Sequence, residues 1–160
     1  MTTDVVTVNQ NDDLRLVDDI MAEHGIRHIP VVHQDRLVGL ITQRDMYKAQ
    51  MSSAMGYGKM GQRAFLHTLL VKDFMTHPVT TIAPNTSVIE AIDLILKQRI
   101  GCLPVMQDRQ LVGIITKTNL LQLLRTLTAP ERAYAYNSGS QQGESTYFVT
   151  TCSSRAQAVF

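Results

Sequence analysis

The sequence predicts a mixed α/β (α+β) protein built from two tandem copies of one β-α-β-β-α unit. The main observation is a repeat: Leu37–Asp45, LVGLITQRD, recurs as Leu111–Asn119, LVGIITKTN, at a fixed offset of 74 positions (37 to 111). The same offset aligns Pro30 with Pro104. Within each copy, short β-branched runs alternate with apolar residues at helical spacing. Because internal repeats decide the architecture, each copy is expected to form the same supersecondary unit.

Length and composition exclude several classes of protein. A chain of 160 residues can bury a core without disulfides or a structural metal. Its net charge of +1 comes from scattered acids and bases, which disfavours binding to nucleic acid or to an anionic membrane. No apolar run approaches the ~20 residues of a membrane span, and the start does not resemble a signal peptide. With only two cysteines, Cys102 and Cys152, we expect a cytoplasmic protein.

The first copy, residues 1–50, is predicted to contain two helices and three strands. Val5–Val8 is β-branched and indicates a buried strand, and Gly25 is expected to end the first helix in the left-handed conformation. Pro30 lacks an N–H and is therefore expected at an edge or a bulge. The predicted elements in order are Val5–Val8, Leu14–His24, His28–Val32, Leu37–Ile41 and Thr42–Gln50.

The second copy, residues 73–126, repeats this order. Ser87 and Glu90 have the spacing of a capping box, which fixes the start of its first helix. The predicted elements are Val79–Ile82, Val88–Gln98, Cys102–Met106, Leu111–Ile115 and Thr116–Leu124.

Residues 51–72 between the copies and residues 127–160 after them differ in composition. Three glycines and two serines in Met51–Gly61 indicate a flexible loop, which a linker helix over Arg63–Val71 follows. The tail is polar, and Asn137–Ser145 has too little apolar surface to pack. Tyr147–Thr150 is compatible with an edge strand or with disorder.

The doubled landmarks of this chain resemble those of the CBS domain. These landmarks are Met-Thr before the first strand, Ile-Pro-Val or Leu-Pro-Val in the second, and Leu-Val-Gly-Leu-Ile-Thr or Leu-Val-Gly-Ile-Ile-Thr at the end of the third. The resemblance covers residues 1–125 and indicates a tandem CBS pair (Bateman module). Ile100–Val105 is most similar to stand-alone bacterial modules of the acetoin-utilisation type.

This resemblance implies an architecture and a function. The two sheets pack together about a pseudo-twofold axis with the helices outside, and two clefts between the repeats hold adenosine nucleotides or adenosyl compounds. AMP, ADP, ATP and S-adenosylmethionine are the candidate ligands. Family members commonly form homodimers and regulate an attached or partner protein, here unknown. They usually perform no chemistry.

The resemblance places a ligand-binding motif at Thr42, Arg44 and Asp45. In the family, the acid accepts hydrogen bonds from both ribose hydroxyls, and the hydroxyl side chain contacts the ribose or a phosphate. A carboxylate suits this role because it only accepts hydrogen bonds. The same spacing is also that of a simple capping box, in which Thr42 would cap the helix and the carboxylate of Asp45 would interact favourably with the helix dipole.

The second copy departs from this motif, because Asn119 occupies the position of the acid, after Thr116 and Lys117. An amide accepts through one oxygen only, so ribose binding there is expected to be weaker or altered. In related modules, residues before the proline reach phosphates in the other repeat's cleft, which assigns Arg27 and His28 to the Asn119 side. The alternative for Arg27 is a solvated surface residue. Two unequal clefts are predicted.

Adenine recognition in the family uses the first strand and the positions at the proline. The corresponding residues are Thr7, Ile29 and Pro30 in the first copy, and Thr81, Leu103 and Pro104 in the second. Apolar walls with few donors suit a purine. Ile29 and Leu103 could equally be core residues.

Other chemistries have weaker support. The five histidines, His24, His28, His33, His67 and His77, show no metal-ligand pattern, and no catalytic motif is present, so neither a metal, a cofactor nor an enzyme is predicted. The leading hypothesis is therefore a sensor that binds an adenosine ligand in the Asp45 cleft. The alternative is a structural dimerisation or scaffold module without a ligand.

Overall fold

The computed structural model describes residues 1–52 and 59–128. Its helix–hairpin–helix order occurs twice, which confirms the predicted α/β duplication. Residues 53–58 of the predicted loop and nearly all of the predicted tail lie outside the described residues. The elements are β1 (Val8–Asn9), α1 (Leu14–His24), β2 (His28–His33), β3 (Arg36–Thr42), α2 (Gln43–Ser52), α3 (Lys59–Leu66), α4 (Val71–Phe74), α5 (Val88–Gln98), β4 (Cys102–Gln107), β5 (Gln110–Thr116) and α6 (Lys117–Thr128).

Two matching hairpins, β2–β3 and β4–β5, form the sheets of the two repeats. Each has a two-residue turn in which both φ angles are positive, 48° and 58° at Gln34 and Asp35, and 49° and 69° at Asp108 and Arg109. Such turns match the right-handed twist of the flanking strands. Each hairpin also has a register shift one residue after the proline, at Val31/Val32 and at Val105/Met106.

Pro30 lies in β2, which is the central strand of the sheet β1-β2-β3, so the predicted edge position is wrong, whereas the predicted bulge follows one residue later. Pro30 pairs with Leu40, whose N–H and C=O both bond to Thr76, at 3.1 and 2.8 Å. These groups of Leu40 therefore face away from β2. The missing N–H of Pro30 costs no hydrogen bond of the hairpin.

The start of each repeat pairs with the hairpin of the other repeat. Thr2 exchanges two backbone hydrogen bonds with Ile114, of 3.0 and 2.9 Å, and Thr76 does the same with Leu40. We call residues 1–6 and 75–80 the crossing segments. They explain why both copies have a glycine at this position of the repeat, Gly39 in the first and Gly113 in the second. A Cβ atom at Gly113 would lie 2.8 Å from the sulfur of Met1.

Gly39, the equivalent glycine in β3, also leaves room for a methionine of the opposite repeat. A Cβ atom at Gly39 would overlap the side chain of Met75, in the second crossing segment. Each Met-Thr landmark thus packs on a glycine of the opposite repeat. The two repeats are held together through backbone pairing and side-chain contact at two equivalent places.

Three apolar clusters form the core. One belongs to each repeat, with Ile29 fully buried in the first and Leu103 fully buried in the second. The third lies at the seam between the repeats. It contains Leu40, Cys102 and Ile114, with residues of both crossing segments packed against it.

The first strand of each copy is shorter than predicted. Only Val8–Asn9 forms a strand in the first copy, and Val79–Ile82 is reduced to one bridge between Ile82 and Val105 in the second. The reason is that the preceding residues belong to the crossing segments. Val5 and Val79 pack at the seam, so their β-branched side chains are buried without a ladder.

The linker differs from the predicted helix Arg63–Val71. Helix α3 ends at Leu66, and a short α4 begins at Val71. The chain leaves α3 in a turn over residues 67–69 and is extended at Leu70, because it pairs there with the start of α1: Leu69 accepts from Leu14 at 2.9 Å, and Val71 donates to Asp12 at 2.9 Å. The ends of the predicted loop are also wrong, since α2 continues to Ser52 and α3 begins at Lys59.

Equivalent caps start the first helix of each repeat. The side chain of Asp13 accepts from the backbone N–H of Leu16 at 2.9 Å, and that of Ser87 accepts from Glu90 at 3.2 Å. We expect Asp13→Ala and Ser87→Ala each to lower the free energy of unfolding by about 1 kcal/mol in urea titrations. Asn11→Ala, at an exposed position before α1, is expected to change it by less than about 0.5 kcal/mol.

The Asp13 cap is also expected to depend on pH. Burial raises the pKa of Asp13, but hydrogen bonds from Leu16 and His67 outweigh burial and lower the pKa below its ordinary value. The unfolded state therefore takes up this proton first as pH falls. The stabilisation is present above the ordinary pKa and is lost as pH falls through the lowered one. An effect of Asp13→Ala that does not decrease as pH falls below the ordinary pKa of aspartate would contradict this account.

Candidate functional site

A cleft of about 470 Å³ opens between the two repeats. It is lined by the first crossing segment, by Arg27 and His28 before and at the start of β2, and by residues 116–119 at the start of α6. Its volume lies in the range of small-molecule pockets. We call it the Asn119 cleft.

The conformation of Asn119 is set by its hydrogen bonds to Thr116. The Oδ1 atom of Asn119 accepts from the backbone N–H of Thr116 at 2.9 Å and from its hydroxyl at 3.0 Å. A backbone N–H can only donate, so the amide oxygen must face Thr116. The Nδ2 group of Asn119 then faces away from this cap, and no described residue accepts a hydrogen bond from it.

Asp45 forms the same cap in the first repeat but is not among the residues that line this cleft. Its Oδ2 atom accepts from the N–H and hydroxyl of Thr42, at 3.1 and 2.6 Å, and its Oδ1 atom accepts from Lys48 at 3.3 Å. Asp45 is 7% exposed. These hydrogen bonds between Asp45 and Thr42 are those of a capping box, the alternative role given above for this motif. The binding of ribose by Thr42 and Asp45 stays a prediction.

Two basic side chains and a histidine line the Asn119 cleft. Arg27 and Lys117 are exposed in it, and His28 is half-buried. The imidazole of His28 packs directly on Gly101, where a Cβ atom would overlap the ring. Burial, followed by the charges of Arg27 and Lys117, lowers the pKa of His28 below its ordinary value, while Asp45 acts in the opposite direction.

The remaining predicted contacts lie elsewhere. Ile29, Pro30, Leu103 and Pro104 are buried, and Ile29 and Leu103 belong to the repeat cores, so their side chains present no surface to a ligand. Thr7, Arg44 and Thr81 are exposed and do not line the Asn119 cleft. Their contact with adenine or phosphate stays a prediction.

Sequence reasoning missed Asp4. It is the one carboxylate among the described residues that line the cleft, and it enters from the first crossing segment. Its position depends on the pairing of Thr2 with Ile114 in the other repeat. The repeated Met-Thr landmark was the available signal, but a pattern along the chain does not show that two segments cross.

Metal and thiol chemistry have little support here. Residues 1–52 and 59–128 contain no group of three histidine, cysteine or acidic side chains that could hold a metal ion. Burial raises the pKa of the Cys102 thiol to about 12, which keeps it protonated and unreactive at neutral pH. No helix in the part of the chain that the structure describes is long and apolar enough to cross a membrane.

Comparison with known families decides what this arrangement is. The family model of the CBS domain matches residues 1–52 and 71–126. The chain belongs to the CBS-domain family. This confirms the resemblance read from the doubled landmarks, and the pair of matches corresponds to the two repeats that the crossing segments join.

Three relatives of this CBS pair are informative. A solved structure assigned to acetoin utilization (AcuB) from Vibrio cholerae has a TM-score of 0.68 and 29% identity, over 83% of this chain and 92% of that one. The CBS domain pair of protein MJ0100, in complex with 5′-methylthioadenosine and S-adenosyl-L-methionine, has a TM-score of 0.68 and 25% identity, over 80% and 94%. The inosine-5′-monophosphate dehydrogenase of Korarchaeum cryptofilum is 34% identical over 71% of this chain, which spans only 21% of that enzyme.

The lowered pKa of His28 predicts a stability that depends on pH. An unfolded histidine binds a proton near pH ~6.5, before the folded one does. We therefore expect the free energy of unfolding to be unaffected by His28 above that pH and to fall as pH drops toward the lower, folded pKa. Urea titrations from pH 7.5 to 5 would measure this, and the decrease is expected to shrink in His28→Gln but not in His24→Gln at the exposed end of α1. An identical pH profile for His28→Gln and the unchanged protein would refute it.

Proposed function

We propose that this CBS pair is a regulatory module that binds an adenosine-containing ligand in the Asn119 cleft. The observation that carries the proposal is that both repeats contribute polar side chains to one cleft of ligand size, Arg27 and His28 from the first repeat and Asn119 from the second. The MJ0100 pair, similar over four-fifths of this chain, is known in complex with two adenosine-containing compounds.

The cleft also offers a route from binding to regulation. A ligand that contacts Arg27 and Asn119 together spans the seam between the repeats, so its affinity depends on how the repeats sit relative to each other. A ligand shifts a conformational equilibrium only when it binds one state more tightly than the other. A site shared by two repeats meets this condition, and a partner that contacts one arrangement would respond to the ligand.

Titration calorimetry with AMP, ADP, ATP and S-adenosylmethionine tests the proposal. We expect saturable binding of at least one of them, and weaker binding by Gly101→Ala, which displaces the His28 ring. The absence of binding by all four at millimolar concentration would overturn it. That result would favour the alternative of a structural module.

The predicted homodimer and the regulated partner stay predictions. Helix α6 contains no buried residue in this chain, and Leu121, Leu124 and Leu127 are more than half exposed. Light scattering after size exclusion, with and without ATP, would determine the assembly and whether the ligand changes it.

A further inference from the structure

We infer that Asn119 makes this cleft selective for a phosphate group, so that its ligand is a nucleoside polyphosphate held at Asn119 by its phosphates instead of its ribose. The inference rests on the proposed function and names the ligand class of that same site. Its starting point is the polarity of one side chain. Where the first repeat has a carboxylate, which only accepts hydrogen bonds, the second has an amide whose oxygen is already engaged.

The hydrogen bonds leave only a donor at this position. The Oδ1 atom of Asn119 accepts two bonds from Thr116, at 2.9 and 3.0 Å, so the group of Asn119 left for a ligand is the Nδ2 amide. A ribose diol binds well to an acceptor of both its hydroxyl protons, which Nδ2 cannot be. A phosphate oxygen, by contrast, only accepts and matches an N–H donor.

The charges around Asn119 favour the same group. Arg27 and Lys117 are basic side chains that only donate hydrogen bonds, and they line the cleft together with His28, whose ring N–H can also donate. Charge-assisted bonds to phosphate are about twice as strong as neutral ones. A cationic sulfonium ligand would be repelled by the same side chains, which distinguishes this cleft from one suited to S-adenosylmethionine.

Asp4 supplies the balancing acceptor. It is exposed in the first crossing segment and lines the same cleft. Hydroxyl protons of a ribose can therefore still be accepted within the cleft, although not at Asn119. In this arrangement the phosphates contact Arg27, Lys117 and Asn119, and the ribose hydroxyls donate hydrogen bonds to Asp4.

Asn119→Asp is the sharpest test, because the first repeat shows that the fold accepts it. Asp45 makes the same two bonds to Thr42 that Asn119 makes to Thr116. The variant therefore keeps the cap and changes only the group offered to the ligand, from a neutral donor to an anionic acceptor. Asn85→Asp, at an exposed position of the same repeat, makes the same chemical change outside the cleft.

The experiment compares the affinities for ATP, adenosine and inorganic tripolyphosphate by calorimetry. We expect the unchanged protein to bind ATP at least tenfold more tightly than adenosine, with tripolyphosphate competing for the site. Asn119→Asp is expected to weaken ATP binding at least tenfold and to leave adenosine binding equal or stronger, whereas Asn85→Asp has the affinities of the unchanged protein.

The possible failures are distinct. An unchanged ratio of ATP to adenosine affinity in Asn119→Asp, or tighter ATP binding, overturns the phosphate assignment while leaving the adenosine site in place. Tripolyphosphate binding without any adenosine or ATP selectivity supports the anion assignment and overturns the adenosine ligand. No binding of any probe by the unchanged protein overturns both.

Discussion

Replacing Arg27 and Lys117 together by alanine is expected to weaken ATP binding by up to about 100-fold. Both side chains are exposed in the Asn119 cleft, one from each repeat. A hydrogen bond to a charged group contributes ~1.5–3 kcal/mol, and solvent exposure places each of these at or below the lower end. Two of them amount to at most about 3 kcal/mol, which corresponds to an upper limit of about 100-fold in the dissociation constant.

The control is the pair Lys72→Ala and Lys97→Ala, which removes the same charge from exposed positions outside the cleft. We expect this pair to keep ATP affinity within about twofold, because charges beyond the Debye length of ~8 Å are largely screened at physiological salt. Calorimetry at 150 mM salt gives both affinities. If both double variants lose the same affinity, the effect is one of net charge and the assigned contacts are wrong.

Leu103→Ala is expected to lower the free energy of unfolding by about 2–5 kcal/mol. Leu103 is fully buried in the core of the second repeat, and its truncation removes apolar burial and leaves a cavity. Leu121→Ala removes the same atoms from a side chain that is 66% exposed in the same repeat. That control is expected to change the free energy by less than about 0.5 kcal/mol.

Unfolding of Leu103→Ala is also expected to remain a single transition. The crossing segments tie each hairpin to the opposite repeat through Thr2 and Thr76, so opening of the second repeat also breaks contacts of the first. Circular dichroism and amide hydrogen exchange in urea would follow the whole chain and the individual strands. Separate midpoints for strands of the two repeats would contradict this coupling.

The sequence predicted the elements whose residues interact locally. Helices α1 and α5 follow from their caps and apolar spacing, and both hairpins follow from two apolar runs with a polar turn. The linker was mispredicted because Leu69 bonds to Leu14, 55 positions away (69 − 14), and Val71 bonds to Asp12, 59 positions away (71 − 12). Helical spacing in Arg63–Val71 carries no information about that partner.

The site was predicted in part for the same reason. The resemblance to related modules was enough to group Arg27, His28, Lys117 and Asn119, and the structure lines one cleft with them. The orientation of the Asn119 amide depends on which atom faces a backbone N–H, and the contribution of Asp4 depends on a crossing of the chain. Neither is encoded in spacing along the sequence.

The crossing segments also bear on whether the two copies could ever act alone. On its own, each copy would lack the crossing segment of the other copy, which pairs with its hairpin. The glycine against which a methionine side chain packs would then face solvent. Two separately expressed halves are therefore complementary pieces: mixed together, they have the means to reassemble, while either one by itself exposes an open sheet edge. Covalent fusion of the copies keeps their ratio at one to one and protects that edge from other chains.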